Sequence, residues 1–342
     1  ANNFATFFCL SLFIRTFVLG NHHRPNMPKK ISSLPAKPFV KWVGGKTQLL
    51  EDIKRSLPLD FLRRENAVYV EPFVGGGAVL FWILQQAPNI ERAVINDINP
   101  HLITTYRVIK ENPEALIGKL EILQEEYLPL GEEERKEYYL EKRDIYNTVA
   151  LLEVEVAALF IFLNRTCFNG LYRVNSQGKF NVPHGRYVRP KICDRETILA
   201  DSRILQKVEI HCGDFAETIN FASPDALFYF DPPYKPLSKT SSFNSYAKEE
   251  FDDDEQIRLR NFCNEVNARN AHFILSNSDV KGKSGADNFF DEIYSTYNIH
   301  RVMATRMVNA NPQKRGKLSE LLIVNYTETV QPNDVQFRLN GI

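Results

Sequence analysis

The chain has 342 residues, of which 44% are hydrophobic, and its 42 Lys and Arg balance its 42 Asp and Glu, so the formal net charge is zero. This length predicts one large domain with an insertion, or two domains, with enough apolar residues for a sizeable core. Zero net charge excludes a nucleic-acid binder that relies on a basic average, so any such surface has to arise from local segregation of charge.

The N-terminal segment shows no pattern that fits the fold predicted for the rest of the chain. Phe4–Leu19 is largely apolar, but it is too short and interrupted to span a membrane and lacks the basic start of a signal peptide. The first Met is Met27, and we predict that residues 1–30 form an extension outside the fold. The five cysteines are widely spaced without a CxxC pair, which indicates a reducing, cytoplasmic compartment, no disulfide framework and no metal site.

Short apolar runs typical of β-strands recur along the chain, with helical patterns between several of them. They lie at residues 68–70, 93–95, 208–210, 226–230, 272–275 and 321–324. This alternation predicts an α/β fold with a doubly wound, mostly parallel sheet whose ligands bind outside the carboxyl ends of the strands. About a hundred residues separate the second run from the third, far more than a βαβ crossover needs. We assign 101–194 to an inserted subdomain, and 31–100 with 195–342 to the main domain.

The first polar cluster is Phe39–Lys46, in which two lysines and a tryptophan surround a glycine pair. The pattern is weak by itself, because Trp42 is equally typical of a hydrophobic core. Lys46 carries a flexible point charge, which could reach the carboxylate of a cofactor.

Glu71–Gly77 contains three consecutive glycines and is typical of a strand-to-helix turn in which a ligand approaches the backbone closely. The dinucleotide pattern GxGxxG is not met, because position 80 is Leu80, and NAD or FAD is therefore disfavoured. Asp97 ends the next predicted strand about twenty residues later, where an acid typically binds ribose hydroxyls. Two plainer interpretations stay open: Asp97 as a helix N-cap, and the glycines as an ordinary tight turn.

Within the insert, Arg165–Cys193 carries six Lys or Arg and no acid, and aromatic residues are interleaved with them. Basic runs are usually solvated faces, but the interleaved aromatics favour a nucleic-acid surface.

The most informative stretch is Asp231–Tyr234, with the sequence Asp-Pro-Pro-Tyr, which follows the apolar run 226–230. The two prolines restrict the backbone just where the chain leaves the sheet. A carboxylate, a carbonyl and a flat ring are thereby presented together, which suits a planar exocyclic amine with two N–H groups. The alternative is a rigid turn that caps a strand.

With these motifs in this order, the chain resembles the Dam-like family of DNA adenine-N6 methyltransferases, and the glycine turn, insert and Asp-Pro-Pro-Tyr follow the family's alpha-group order. The resemblance covers about residues 36–327. It implies a methyltransferase sheet that binds S-adenosylmethionine, with an inserted helical and hairpin subdomain that reads the DNA target. The cofactor contacts that it implies are Trp42, Lys46, Asp97 and Asp231, with Glu71, Gly75, Asp214 and Phe215 as additions around the methionine and adenine moieties.

The resemblance also implies the DNA-contacting residues, which are Lys41, Phe168, Asn169, Leu171 and Arg173. The aromatic side chain would wedge into the base stack, Leu171 and Arg173 would read base edges, and GATC in double-stranded DNA would be the target. We expect phosphate contacts from Arg186, Arg189 and Lys191. A monomer without a metal is implied, and a companion restriction endonuclease would not be physically required.

The expected catalytic residues are Asp231, Pro232 and Tyr234. The carboxylate and the Pro232 carbonyl would accept the two N–H groups of an adenine amine, and the ring would stack on the flipped base. Two rival functions are a methyltransferase acting on glutamine amides in protein and a non-catalytic DNA-binding module. The acid at position 231 argues against the first, and the joint presence of the glycine turn, Asp97 and Asp-Pro-Pro-Tyr argues against the second.

Overall fold

The computed structural model describes residues 34–59, 61–235, 251–281, 287–305 and 317–327. The predicted N-terminal extension at 1–30 lies outside these residues. Within them, no helix combines the length and the apolar character that a membrane crossing requires.

The fold is built on a sheet whose strands confirm the predicted α/β class. In the described residues the strands are β1 (Ala67–Glu71), β2 (Ile90–Asp97), β3 (Val208–Cys212), β4 (Ala226–Phe230), β5 (His272–Ser278), β6 (Asn298–Thr305) and β7 (Lys317–Val324). Their order across the sheet is β3-β2-β1-β4-β5-β7-β6. The five strands β3, β2, β1, β4 and β5 are mutually parallel, and β7 runs antiparallel to both of its neighbours.

Helices cover both faces of this sheet, as the prediction of a doubly wound fold requires. They are α1 (Leu50–Arg55), α2 (Ala78–Gln86), α3 (Pro100–Glu111), α4 (Pro113–Tyr127), α5 (Glu132–Thr148), α6 (Glu153–Thr166), α7 (Arg195–Leu205), α8 (Asp253–Ala268) and α9 (Phe289–Ile293). The side chains of strand β4 show that both faces of the sheet are buried. Leu227 and Tyr229 join the core formed with α2, α3 and α7, whereas Phe228 and Phe230 join the core formed with α8.

The pairing of strand β1 with its two neighbours brings the predicted site residues together. Strand β1 pairs with β2 on one side and with β4 on the other, so the ends of these three strands lie next to one another. The antiparallel β7 brings its Glu320 opposite Ser278, at the carboxyl end of β5. Near the end of the described chain, the hydroxyl of Tyr326 donates to the carbonyl of Ser56, which joins residues 270 positions apart.

The segment between β2 and β3 contains helices α3 to α7 and an irregular stretch. Helix α3 packs against α6 and also against α7 and β3, so it contacts both the insert and the sheet. After α6, the chain makes isolated β-bridges between Cys167 and His184 and between Val174 and Phe180. The division of the chain at residues 101 and 194 stays a prediction.

Candidate active site

Three predicted site acids end neighbouring strands. Glu71 closes β1, Asp97 closes β2, and Asp231 directly follows β4. Because β1 lies between the other two strands, these acids face one cleft at the carboxyl edge of the parallel sheet. The structure thus brings these three predicted acids together at one edge of the sheet, and their role as a binding site stays a prediction.

The glycine turn is coupled to Asp97 through the backbone. Gly75 has a φ of +48° and donates its N–H to Asp97 Oδ2 at 3.0 Å, while Asn99 donates its backbone N–H to Oδ1 at 3.0 Å. Burial raises the pKa of Asp97, and these backbone bonds oppose that rise. The N-cap of α3 is Asn99, whose side chain accepts from His101 and Leu102. Asp97 is thus not the helix cap that the plainer interpretation required.

Trp42 lies directly against the glycine turn. A Cβ atom on Gly75 would come within 2.7 Å of Trp42 Cδ1, and one on Gly76 would come within 2.9 Å of Trp42 Cβ. The indole also stacks on Tyr172 from the insert, with 5.7 Å between the ring centroids. The requirement for glycine at this turn is therefore steric as well as conformational, and Trp42 connects the turn with the insert.

Asp231 lies in a group of charged and polar side chains. Lys46 Nζ is 2.8 Å from Asp231 Oδ1, and Ser276 Oγ donates to the same oxygen at 3.1 Å. The ammonium also lies 4.3 Å from the centroid of the Tyr234 ring, and it donates to the carbonyl of Gly44 at 2.7 Å. Burial raises the pKa of Asp231, and Lys46 and Ser276 oppose this rise. Lys46 thus contacts the Asp-Pro-Pro-Tyr residues directly, and its contact with a cofactor carboxylate stays a prediction.

The Asp-Pro-Pro-Tyr turn is held by polar side chains that the sequence did not single out. Gln256 on α8 donates to the carbonyl of Pro233 at 3.1 Å and accepts from Asn277 Nδ2 at 3.1 Å. Asn277 Oδ1 in turn accepts the backbone N–H of Lys235 at 3.3 Å. Both amides are buried. The run Ser-Asn-Ser at 276–278, which directly follows the predicted strand, was the one signal in the sequence for this network.

Tyr234 is fixed at its far end by the antiparallel strand. Its hydroxyl donates to Glu320 Oε2 at 2.8 Å, so the ring is held between β7 and the ammonium of Lys46. The phenol ring therefore has a set orientation in the cleft, which is a condition for stacking on a planar ligand.

The remaining acids of the cofactor prediction have distinct environments. Glu71 is buried and accepts from the Tyr69 hydroxyl at 2.7 Å, and burial raises its pKa well above the usual range. Asp214 accepts two bonds from Arg258, at 2.9 and 2.7 Å, and one from the backbone N–H of Ala216 at 2.9 Å. The Arg258 bonds lower the pKa of Asp214 and keep it ionised. The ring of Phe215 is buried, so a contact from this residue to a cofactor would come from its backbone.

These residues fit an S-adenosylmethionine molecule. Trp42 fills the space beside Gly75, so the group at this turn that a ligand hydroxyl could reach is the partly exposed Asp97 carboxylate, which accepts the Gly75 N–H. Asp214, two residues after the neighbouring strand β3, offers a second carboxylate acceptor, and Arg258 lowers its pKa. An acceptor for hydroxyls, Asp97, therefore ends β2, and an acceptor for an amine, Asp214, follows the neighbouring strand β3.

The predicted DNA-contacting residues lie at the surface after α6. Phe168 is 51% exposed, and Asn169 adopts a left-handed conformation with a φ of +56°. Arg173 donates from Nε to Asn181 Oδ1 at 2.8 Å, within the irregular hairpin. Leu171 is partly buried against the core. Lys41, from the distant N-terminal segment, lies beside this loop, with its ammonium 4.4 Å from the Tyr187 ring centroid.

The cations expected to contact phosphates differ in their partners. Arg186 lies 3.7 Å from Glu132, and Lys191 pairs with Asp194 at 2.7 Å. Arg189 is exposed. Arg186 and Lys191 would each have to give up an ion pair to bind a phosphate.

Comparison with known proteins agrees with this geometry. The family described as D12 class N6 adenine-specific DNA methyltransferase matches residues 42–308. The type II methyltransferase M.MjaIII of Methanocaldococcus jannaschii is 47% identical over 86% of this chain and 100% of its own length. The type II methyltransferase M1.LlaDCHI of Lactococcus lactis subsp. cremoris is 41% identical, over 85% and 95%. The DNA adenine methylase of Haemophilus influenzae is 33% identical, over 87% and 97%.

The predicted family is thereby confirmed, together with an enzymatic activity that uses S-adenosylmethionine as methyl donor and DNA as substrate. Neither the protein-glutamine methyltransferase nor the non-catalytic module agrees with these matches. The chain belongs to the D12 class of N6 adenine-specific DNA methyltransferases.

Proposed function

We propose that the enzyme methylates the N6 atom of adenine in GATC, within double-stranded DNA, after the adenine has been flipped out of the helix. The observation that carries this proposal is the arrangement around Asp231. A carboxylate and the face of the Tyr234 ring are both in contact with one buried ammonium, that of Lys46, at 2.8 and 4.3 Å. A flipped adenine offers a partner for each of these two groups: an N–H donor for the carboxylate and a flat ring for the phenol.

The chemistry follows from the acceptors in this cleft. The adenine amine is a poor nucleophile because its lone pair is delocalised into the ring. When the Asp231 carboxylate and the Pro232 carbonyl accept its two N–H bonds, the nitrogen moves towards tetrahedral geometry and its lone pair localises. S-adenosylmethionine would supply the electrophilic methyl group: the N–C bond would form as the C–S bond breaks, S-adenosylhomocysteine would leave, and the methylated nitrogen would lose one proton to solvent. Asp231 then faces the positive charge that develops on the nitrogen, and such fixed acceptors contribute strongly to catalysis.

Holding the reactants in line accounts for a large part of the rate, up to ~7–11 kcal/mol for well-oriented groups. The structure supports this requirement through the buried contacts of the turn. Gln256 and Asn277 fix the backbone of Pro233 and Lys235, directly after Pro232, which limits the freedom of the Pro232 carbonyl. These amides would act as positioning residues.

Extrusion of the adenine would be assisted by the exposed Phe168. Flipping costs a few kcal/mol, and an aromatic side chain that enters the stack offsets part of this cost. Phe168 is the exposed aromatic at the start of the hairpin, and the left-handed Asn169 follows it. The side chain is therefore placed on a short, tight turn that can approach a duplex.

Sequence choice would come from Lys41, Leu171 and Arg173. A guanidinium is suited to guanine O6 and N7, and an apolar side chain is suited to the thymine methyl group. Arg189 and its neighbouring cations would contact phosphates and set the register without selecting a sequence. We further propose that the enzyme acts as a cytoplasmic monomer, either beside a restriction endonuclease or in Dam-type methylation without one.

The central experiment expresses residues 27–342 in cells that lack GATC methylation. Plasmid DNA is then mapped for methyladenine at single-nucleotide resolution. We expect methylation confined to GATC, and none with Asp231→Ala, whose folding is checked by circular dichroism. Methylation of adenines outside GATC at comparable levels would refute the proposed specificity, and normal methylation by Asp231→Ala would refute the proposed chemistry.

Specificity is tested with Arg173→Ala and the matched variant Arg189→Ala. Arg173→Ala should relax discrimination at one base pair of GATC by about 1–3 kcal/mol. Arg189→Ala should weaken binding to all duplexes alike and reduce the salt dependence by about one ion. Full selectivity in Arg173→Ala would remove this residue from the reading surface.

A further inference from the structure

The amide of Asn164 joins two segments that are far apart in the sequence. Asn164 lies in the last turn of α6 and is 2% exposed. Its Oδ1 accepts the backbone N–H of Lys41 at 2.8 Å, and its Nδ2 donates to the carbonyl of Lys41 at 2.9 Å. The same Nδ2 donates to the carbonyl of Gly170 at 2.9 Å. One buried side chain thus ties the backbone of Lys41 to the loop that contains Phe168 and Arg173.

The two segments also touch directly at this junction. Gly170 has a φ of +64°, and a Cβ atom there would come within 2.5 Å of Lys41 Cδ and 2.7 Å of Lys41 Cβ. The lysine side chain therefore lies across the glycine, and its ammonium continues to Tyr187, with 3.4 Å between Nζ and the hydroxyl. The position of the Lys41 side chain is consequently set by the loop, and the separation of the loop from Lys41 is set by Asn164.

We propose that Asn164 is a positioning residue for sequence recognition, which holds Lys41 and the loop 168–173 in one register so that both meet the same duplex. This inference rests on the proposed function, in which Lys41 and Arg173 contact bases. The chemistry requires this side chain: aspartate would lose both donors, glutamine is one methylene longer, and an apolar residue would remove all three bonds to the backbone of Lys41 and Gly170.

The test measures kcat/KM on two kinds of duplex. One contains GATC, and the other keeps the base pair of the target adenine but has one of the remaining base pairs replaced. Asn164→Ala should lower discrimination at the base pair read by Lys41 by roughly 5- to 100-fold, the range expected for a lost base contact. The affinity for S-adenosylhomocysteine should stay unchanged. The matched control is Asn89→Ala, because Asn89 also bridges two carbonyls, those of Phe61 and Arg64 at 2.9 Å each, at the opposite end of β2. This control should leave discrimination unchanged.

A double variant separates positioning from general loss of stability. If Asn164 acts through Lys41, Asn164→Ala combined with Lys41→Ala should lose no more discrimination at that base pair than Lys41→Ala alone. Equal losses on cognate and altered duplexes in Asn164→Ala would overturn the proposal. If Lys41→Ala itself leaves discrimination intact, the proposed function is wrong about Lys41 and the inference falls with it.

A second variant reaches the same junction from the other side. Gly170→Ala pushes against Lys41 without changing Asn164, and it is informative if Asn164→Ala does not fold. We expect the loss of discrimination at the same base pair as in Lys41→Ala. Unaltered discrimination in Gly170→Ala would contradict the idea that the junction sets the register.

Discussion

Gly75→Ala is the substitution for which the structure predicts the largest effect on cofactor binding from the smallest chemical change. An added Cβ would lie 2.7 Å from Trp42 Cδ1, whereas carbon atoms pack at about 3.5 Å or more, so the indole has to move by about 0.8 Å. The same backbone donates to Asp97 and accepts from the hydroxyl of Tyr106 at 2.9 Å. Displacement of the turn would therefore disturb Asp97 as well as Trp42.

Gly178→Ala provides the matched control for this substitution. Gly178 has a φ of +76°, and no atom lies within 4 Å of an added Cβ. Both substitutions should lower the free energy of unfolding by about 1–2 kcal/mol, because an L-residue is forced into the left-handed region. Gly75→Ala should lose about 1–3 kcal/mol more, which is typical of overpacking in a filled site. Chemical denaturation measures both losses.

Cofactor binding distinguishes the two variants more sharply than stability does. The affinity for S-adenosylhomocysteine, measured by isothermal titration calorimetry, should fall at least tenfold in Gly75→Ala, which corresponds to about 1.4 kcal/mol. Gly178→Ala should bind as the wild type does. Equal affinity in the two variants would refute the reasoning, because it would show that the contact between Trp42 and the turn is not part of the cofactor site.

Three further predictions concern the cleft. Lys46→Met removes the cation that opposes the raised pKa of Asp231, so the acid limb of the pH profile of kcat/KM should move to higher pH, whereas Lys46→Arg should leave it in place. A raised KM for S-adenosylmethionine without that movement would instead place Lys46 at the cofactor carboxylate. Arg258→Gln removes the two bonds that hold the Asp214 carboxylate in place. If Asp214 contacts the adenine amine, the preference for S-adenosylhomocysteine over S-inosylhomocysteine, which lacks that amine, should shrink in competition binding. An unchanged preference would mean that Asp214 does not contact the adenine. Tyr234→Ala should raise KM for DNA by roughly 5- to 150-fold through lost stacking. Tyr234→Phe keeps the ring but loses the bond to Glu320, so its KM should lie between those of the wild type and Tyr234→Ala; equal kinetics in the two variants would show that the ring does not hold the base.

Much of the fold could be predicted from the sequence, because its central strands are buried on both faces. Such strands read as continuous apolar runs, and Ala226–Phe230 is the clearest example. Strand β6 was not predicted. It lies at the edge of the sheet and contains His300 and Arg301 among its apolar residues, so no apolar run marks it. The antiparallel position of β7 between β5 and β6 was not predicted either, since strand order is a tertiary property.

The site could be predicted only as far as single motifs reach. Asp97 and Asp231 were found because each ends a recognisable strand beside a turn. No local pattern in the sequence predicts the contacts of Gln256 with Pro233 and Asn277. They join α8 to the turn after β4 and to β5, across at least 21 residues of sequence. The ammonium of Lys46 was expected at a cofactor carboxylate, and its bond to Asp231 depends on packing that no spacing in the sequence records.

The contacts that complete the cleft come from the two ends of the described chain, and this has a consequence for synthesis of the enzyme. Lys46 enters the site near the start, whereas Glu320 and Tyr326 contribute from the final strand region, and the bond from Tyr326 spans 270 residues. At ordinary elongation rates, roughly 14 to 54 s pass between translation of these two ends. A nascent chain would therefore carry its glycine turn and reading loop long before it could hold Tyr234 in place. Methylation should begin only after the strand that carries Glu320 has been made, which protects DNA from transfer by shorter copies.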